Sequence, residues 1–137
     1  MHIQIVLFDG FDELDALAPL EVLRRADELG AGMRVELVTL ERADEVAGTF
    51  GLRVRPDAQL DAERPPDLLL VPGGGWNAGG ATGVRAEIAR GTLPDTLRQL
   101  HAAGVVIATV CTGALLAAAA GITAGRHVAT HAAACNA

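Results

Sequence analysis

The sequence has no Lys and no Tyr; its eleven basic side chains are all Arg, against seventeen Asp and Glu. Its aromatic side chains are Phe8, Phe11, Phe50 and Trp76. An acidic chain with scattered Arg and few stacking platforms excludes nucleic-acid binding by this portion. Without Lys there is no P-loop. Cys is limited to Cys111 and Cys135, so the chain is not a disulfide scaffold. The apolar start, Met1 to Phe8, has no basic residues before it and reads as a strand, not a targeting signal. No long uninterrupted apolar run exists. The most apolar stretch, Val105 to Ile122, is broken by Thr109, Thr112, Gly113 and Gly121, and reads as strand, turn and helix instead of a membrane span. These lacks predict a chain that is not in a membrane and sits in the reducing cytoplasm.

What is present is apolar: half of the 137 residues. That suffices for one core, and the length is that of one domain, residues 1–137. Ile3 to Phe8 is a β-branched run stopped by Asp9-Gly10. Asp12 to Leu29 carries Leu14, Leu17, Leu20, Leu23 and Ala26 near helical spacing, with Pro19 inside as a new helix start or a kink. Val35 to Leu40 predicts a second strand, and Leu52 to Arg55 alternates like a short exposed one in an otherwise irregular stretch, Gly48 to Ala58. Asp67 to Val71 predicts a strand buried on both faces. Val84 to Arg90 and Pro94 to Ala103 read as helices, Val105 to Val110 as another buried strand, Gly113 to Ala120 as a helix and His127 to Thr130 as a last strand. Repeated strand-then-helix units predict an α/β fold: a flavodoxin-like parallel sheet sandwiched by helices. Ligand sites in such sheets lie at the carboxyl ends of the strands.

Three segments fall there. In Val105-Val106-Ile107-Ala108-Thr109-Val110-Cys111-Thr112-Gly113, a buried strand enters a Cys and a small-residue helix leaves it. That is the pattern of a nucleophile elbow, with Gly113 leaving room for the turn. A Cys at a helix start sits at the positive end of the dipole, which favours the thiolate. Against this, a free Cys is usually a small buried hydrophobe. The glycines of Pro72-Gly73-Gly74-Gly75 let backbone N–H groups face a ligand, as an oxyanion hole or an anion nest, or form only a flexible loop. Asp15, just past the first strand, is a carboxyl that partial burial could fit for acid or base work; Asp12, Glu13 and Glu21 are its rivals. All four are equally suited to the N-terminal half of a helix. The four His show no metal-ligand spacing: His127, His131 and Cys135 would align only on a helix, and Val128-Ala129-Thr130 reads as strand.

Together Leu14-Asp15-(x3)-Pro19, Val71-Pro72-Gly73-Gly74, Val110-Cys111-Thr112-Gly113 and Ala129-Thr130-His131 resemble the ThiJ/PfpI superfamily, with its class I glutamine-amidotransferase-like fold. The Cys-Thr-Gly and Leu-Asp-(x3)-Pro motifs look most like its isonitrile hydratase branch, and also like the amidotransferase-like sensor domains of AraC-type regulators. The resemblance implies Cys111 as nucleophile, Asp15 as the acidic residue facing its sulfur, Gly74 and Thr112 as N–H donors to the pocket, and His131 near the nucleophile without being the base. Thr112 stands where the peptidase-like and glyoxalase-like branches commonly place a His, which counts against a Cys-His mechanism. The implied reaction hydrates an isonitrile to an N-substituted formamide through a thioimidate, with no metal or organic cofactor. The implied partners are a small-molecule substrate and a second copy of the chain, as a homodimer. Family domains usually continue beyond the Thr-His motif, so the resemblance also implies a domain incomplete on its C-terminal side. The alternatives are a ligand- or redox-sensing domain and a glyoxalase-like stress protein.

Overall fold

The structure, a computed structural model, describes residues 1–77 and 79–136. Ala137, where the expected domain ends, lies outside them. β1 (His2–Val6) is followed by α1 (Glu13–Glu28) and β2 (Arg34–Thr39). Asp12 caps α1: its carboxylate accepts the Leu14 N–H at 3.1 Å, and Glu13 and Asp15 place negative charge in the first turn. The helix runs unbroken through Pro19. Proline has no N–H to offer the carbonyl four residues back, which is that of Asp15.

The irregular stretch after β2 contains more order than its sequence suggests. β3 (Val46–Ala47) and β4 (Arg53–Val54) pair antiparallel, and β5 (Ala58–Gln59) adds to the main sheet beside β2. β6 (Leu68–Val71) follows, with Leu69 and Val71 fully buried. The helices α2 (Val84–Arg90) and α3 (Thr92–Ala102) are separated by Gly91, whose left-handed φ of 78° ends one helix and opens the next. β7 (Val106–Thr109) leads into α4 (Gly113–Ala119).

The main sheet is parallel, in the order β5-β2-β1-β6-β7. Its register pairs Ile3 with Val35 on one side and Leu68 on the other, and Leu68 with Val106. Helices flank it: α1 packs on β2, and α3 and α4 pack against β7. Phe11, Ile5, Leu69, Leu93, Leu97 and Leu116 are the large side chains at the centre of the core.

Two expectations are corrected. Residues His127 to Thr130 form no strand; they run exposed or half-buried into a 3-10 turn, Ala132–Ala134. Thr130 spends its hydroxyl on the Cys111 carbonyl, and β7 has no strand beyond it among the described residues. For the same reason β7 is not a fully buried strand: Val106 is 55% exposed.

From β1 the chain steps to β2 on one side, and later to β6 on the other. The crevice at such a reversal lies between the carboxyl ends of β1 and β6. The turns leaving β1, β6 and β7 all open there.

Candidate active site

Cys111 is the residue to which the local backbone gives most. Its φ is +55°, the one positive value outside glycine among the described residues. An L side chain in that region is strained, and only surrounding structure keeps it there. Gly113 shows what does. A Cβ at Gly113 would run into the Val71 carbonyl and come within 2.8 Å of the Pro72 oxygen. The turn is therefore pressed onto the end of β6, and Thr112 stands against Gly73.

Thr112 lies beneath, 3% exposed. Its Oγ1 accepts the Gly74 N–H at 3.1 Å. A hydroxyl that accepts still has a proton to donate, and both this hydroxyl and the Thr112 N–H favour the ionised form of the Cys111 sulfur beside them. Asp15 approaches from α1. Its Oδ2 accepts the Gly73 N–H at 3.1 Å, and its carboxyl feels the nearby Cys111 thiol.

Burial pushes the Asp15 carboxyl up, and the charge of Asp12 adds to this. The Gly73 N–H, the Cys111 thiol and His131 pull the other way, and the net shift is upward. Burial also pushes the Cys111 thiol above its ordinary value; the Thr112 N–H opposes it, and the charges of Asp15 and Asp12 reinforce it. The thiolate expected from a helix start alone is thus not what this environment favours. α4 is a single short helix of seven residues, and desolvation beside two carboxyls prevails. The site sets a partly buried thiol beside a partly buried carboxyl: burial makes both reluctant to ionise, the Asp15 charge adds to this at Cys111, and the thiol partly offsets it at Asp15.

The remaining expected residues fall as follows. Gly73 and Gly74 are both present at the site, but their N–H groups already serve Asp15 and Thr112. Gly74 has φ +135°, and a Cβ there would press on the Gly10 carbonyl. His131 is exposed; its Nδ1 accepts the Ala133 N–H at 3.2 Å, which leaves Nε2 to carry the proton of the neutral ring. Its charge reaches Asp15. Of the rivals to Asp15, Asp12 is the helix cap, Glu13 accepts the Phe50 and Leu52 N–H groups, and Glu21 is exposed. Among the described residues no cluster of three His, Cys, Asp or Glu side chains is arranged for a metal ion. A cleft of about 330 Å³ lined by Asp9, Glu41, Glu87 and Arg90 opens over β1 and β2, and includes neither Cys111 nor Asp15.

Sequence reasoning assigned no role to Thr130, whose hydroxyl donates to the Cys111 carbonyl at 3.1 Å. Its only sequence signal is a hydroxyl directly before His131.

The model of the DJ-1/PfpI family matches residues 1–136. An uncharacterized protein in the cpoL 5' region of Streptomyces lividans is 31% identical over 130 residues, covering 95% of this chain and 86% of that one. The isonitrile hydratase of Pseudomonas putida is 28% identical over 131 residues, 96% of this chain; the chain spans 52% of that enzyme's length. Among solved structures, an AraC family transcriptional regulator from Pseudomonas putida matches with a TM-score of 0.78 at 22% identity, over 98% of this chain and 69% of that one. At that identity the likeness concerns the fold alone.

Proposed function

Since the chain belongs to the DJ-1/PfpI family, we propose that it is a cysteine-dependent hydratase of the cytoplasm, converting isonitriles to N-substituted formamides. The observation that carries this reading is a strained elbow Cys111 set beside an Asp15 carboxyl whose proton affinity is raised. Such a pair can move a proton and form a bond to carbon in one step.

The terminal carbon of R–N≡C accepts both a nucleophile and a proton. Asp15 takes the Cys111 proton as sulfur bonds to that carbon, then delivers it to the same carbon. The product is a thioimidate, R–N=CH–S–Cys111. Water adds to this carbon, nitrogen gains a proton, and the C–S bond breaks. R–NH–CHO leaves and the thiol is restored. The Thr112 N–H and hydroxyl steady the sulfur as charge develops on it. The catalytic residues of this reading are Cys111, Asp15 and Thr112, with Gly73 and Gly74 fixing Asp15 and Thr112 and His131 at the rim. No metal or organic cofactor takes part. A homodimer belongs to the same reading, supported by exposed Leu14 and Phe50 near the start of α1; light-scattering mass in solution checks it.

The experiment is turnover of a simple aryl or alkyl isonitrile, with methylglyoxal assayed in parallel. The expected outcome is formamide from the isonitrile, lost in Cys111→Ala. Turnover of methylglyoxal alone would replace the hydratase reading with a glyoxalase-like one. A ligand-sensing domain is the second reading. It is favoured by the internal engagement of the Gly73 and Gly74 N–H groups, which leaves neither free for a substrate. Binding of isonitrile without product would decide for it.

A further inference from the structure

The peptide unit joining Cys111 to Thr112 has a distinct partner at each end. A trans peptide is planar, and its C=O and N–H point in opposite directions. The carbonyl, that of Cys111, accepts the Thr130 hydroxyl at 3.1 Å. The N–H, that of Thr112, points the opposite way, beside the Cys111 sulfur, whose ionised form it favours. The other donor near this carbonyl is the Ala114 N–H, at 3.5 Å, the limit of a hydrogen bond. Thr130 therefore makes the firmer bond to this oxygen. The plane it holds also belongs to a residue at φ +55°, which would relax by rotating if released. Thr130 is half-buried and its segment joins no sheet, so strand pairing does not explain its placement.

We propose that Thr130 is a positioning residue for the nucleophile: its hydroxyl clamps the Cys111 carbonyl and so fixes the peptide plane that carries the Thr112 N–H beside the Cys111 sulfur. This rests on the reading of Cys111 as the reactive thiol. It gives the segment before His131 a task of its own, at the far end of the chain from Asp15. It also explains why the residue is one with a hydroxyl: the carbonyl needs a donor, and a side chain of this length reaches it without drawing its own backbone into the sheet.

Removing the hydroxyl frees the plane and takes an N–H donor from the thiolate, the form that donor stabilises. The charged groups acting on this sulfur are Asp15 on α1 and Asp12 at its cap, and His131 at the 3-10 turn acts on Asp15; all three remain in the variants. The test is the pH dependence of Cys111 alkylation by iodoacetamide, in a Cys135→Ser background so that Cys111 is the sole thiol. Thr130→Val is isosteric and lacks the donor; Thr130→Ala lacks it with less steric demand, and keeps the test open if the valine variant does not fold. Thr130→Ser restores it. In the hydroxyl-less variants the alkylation midpoint moves up by about half a unit to one unit, and the rate at neutral pH falls about three- to tenfold. The Ser variant returns to the parent profile. Parent-like profiles in the folded Val or Ala variants overturn the proposal, and so does a Ser variant that behaves like Val. His131→Gln, measured beside them, gives the shift owed to that ring alone; a shift as large as that of Thr130→Val also overturns the clamp. The readout needs no substrate. Absence of formamide product sinks the hydratase reading and leaves the clamp standing, while unshifted alkylation does the reverse.

Discussion

Asp15 is asked to be two things that conflict. As a folded-state group it is a partly buried carboxyl next to Asp12 and a thiol, with its proton affinity raised. A raised acid contributes stability that is fully present below its unfolded value, and this is lost as pH rises through the folded value. At neutral pH the charged form is therefore a burden on the fold. Asp15→Asn keeps an oxygen for the Gly73 N–H and sheds that charge. The variant melts above the parent at neutral pH, and the two curves converge in acid; thermal scans at both conditions check this. The same substitution removes a charge that holds the Cys111 thiol up, so the midpoint of iodoacetamide alkylation falls. Turnover falls with it, by a factor of about a hundred or more if Asp15 shuttles the proton. A thiol that becomes easier to ionise while catalysis drops separates proton transfer from simple nucleophile activation. Thr112 stands at the same scale. Its type was readable beside Cys111, but its hydrogen bond from Gly74 was not, because those residues lie far apart in the chain.

At the scale of elements, the elbow and α1 set the site. Gly113 lies where any Cβ meets the end of β6. Gly113→Ala is expected to destabilise the chain by about 1–3 kcal/mol, measured by urea unfolding, because a packed backbone must shift to admit it. Pro19 is different. It leaves the Asp15 carbonyl without a helical donor inside a continuous helix. Pro19→Ala supplies that donor and is expected to stabilise by about 1–2 kcal/mol, the propensity gain less the entropy that proline removes from the unfolded chain. The elements themselves were largely legible. Apolar runs marked β1, β2 and β6, and helical spacing marked α1. β4 was legible too, inside the alternation of Leu52 to Arg55, but β3 and β5 were not, since two-residue strands carry no periodicity. His127 to Thr130 had strand-like residues and formed none, because strand propensity is realised only where a partner strand is present.

At the scale of the whole molecule, the sheet ends in β7 among the described residues. Its outward backbone groups and the 55% exposed Val106 form an open edge, and such edges pair with other chains. For the 137-residue chain, Val106→Lys is expected to delay the rise of light scattering on heating without lowering the midpoint of urea unfolding. A lysine at an edge opposes strand addition while adding little cost at an exposed position.

The sequence by itself determined the alternation of strands and helices, and with it a parallel sheet whose ligand edge carries Asp15, Gly73, Gly74 and Cys111. Composition and local periodicity suffice for that, because each element buries its own apolar face. The sequence also placed Cys111 on an elbow, since strand, small residue and helix follow one another directly. Tertiary structure alone decided the chemistry of that edge. Whether Cys111 ionises depends on burial and on the charges of Asp15 and Asp12, which reach it from another element. Whether Gly73 and Gly74 offer their N–H groups depends on Asp15 and Thr112, which claim them first. Solvent access and hydrogen-bond partners across the fold are properties of packing, and no local pattern encodes them.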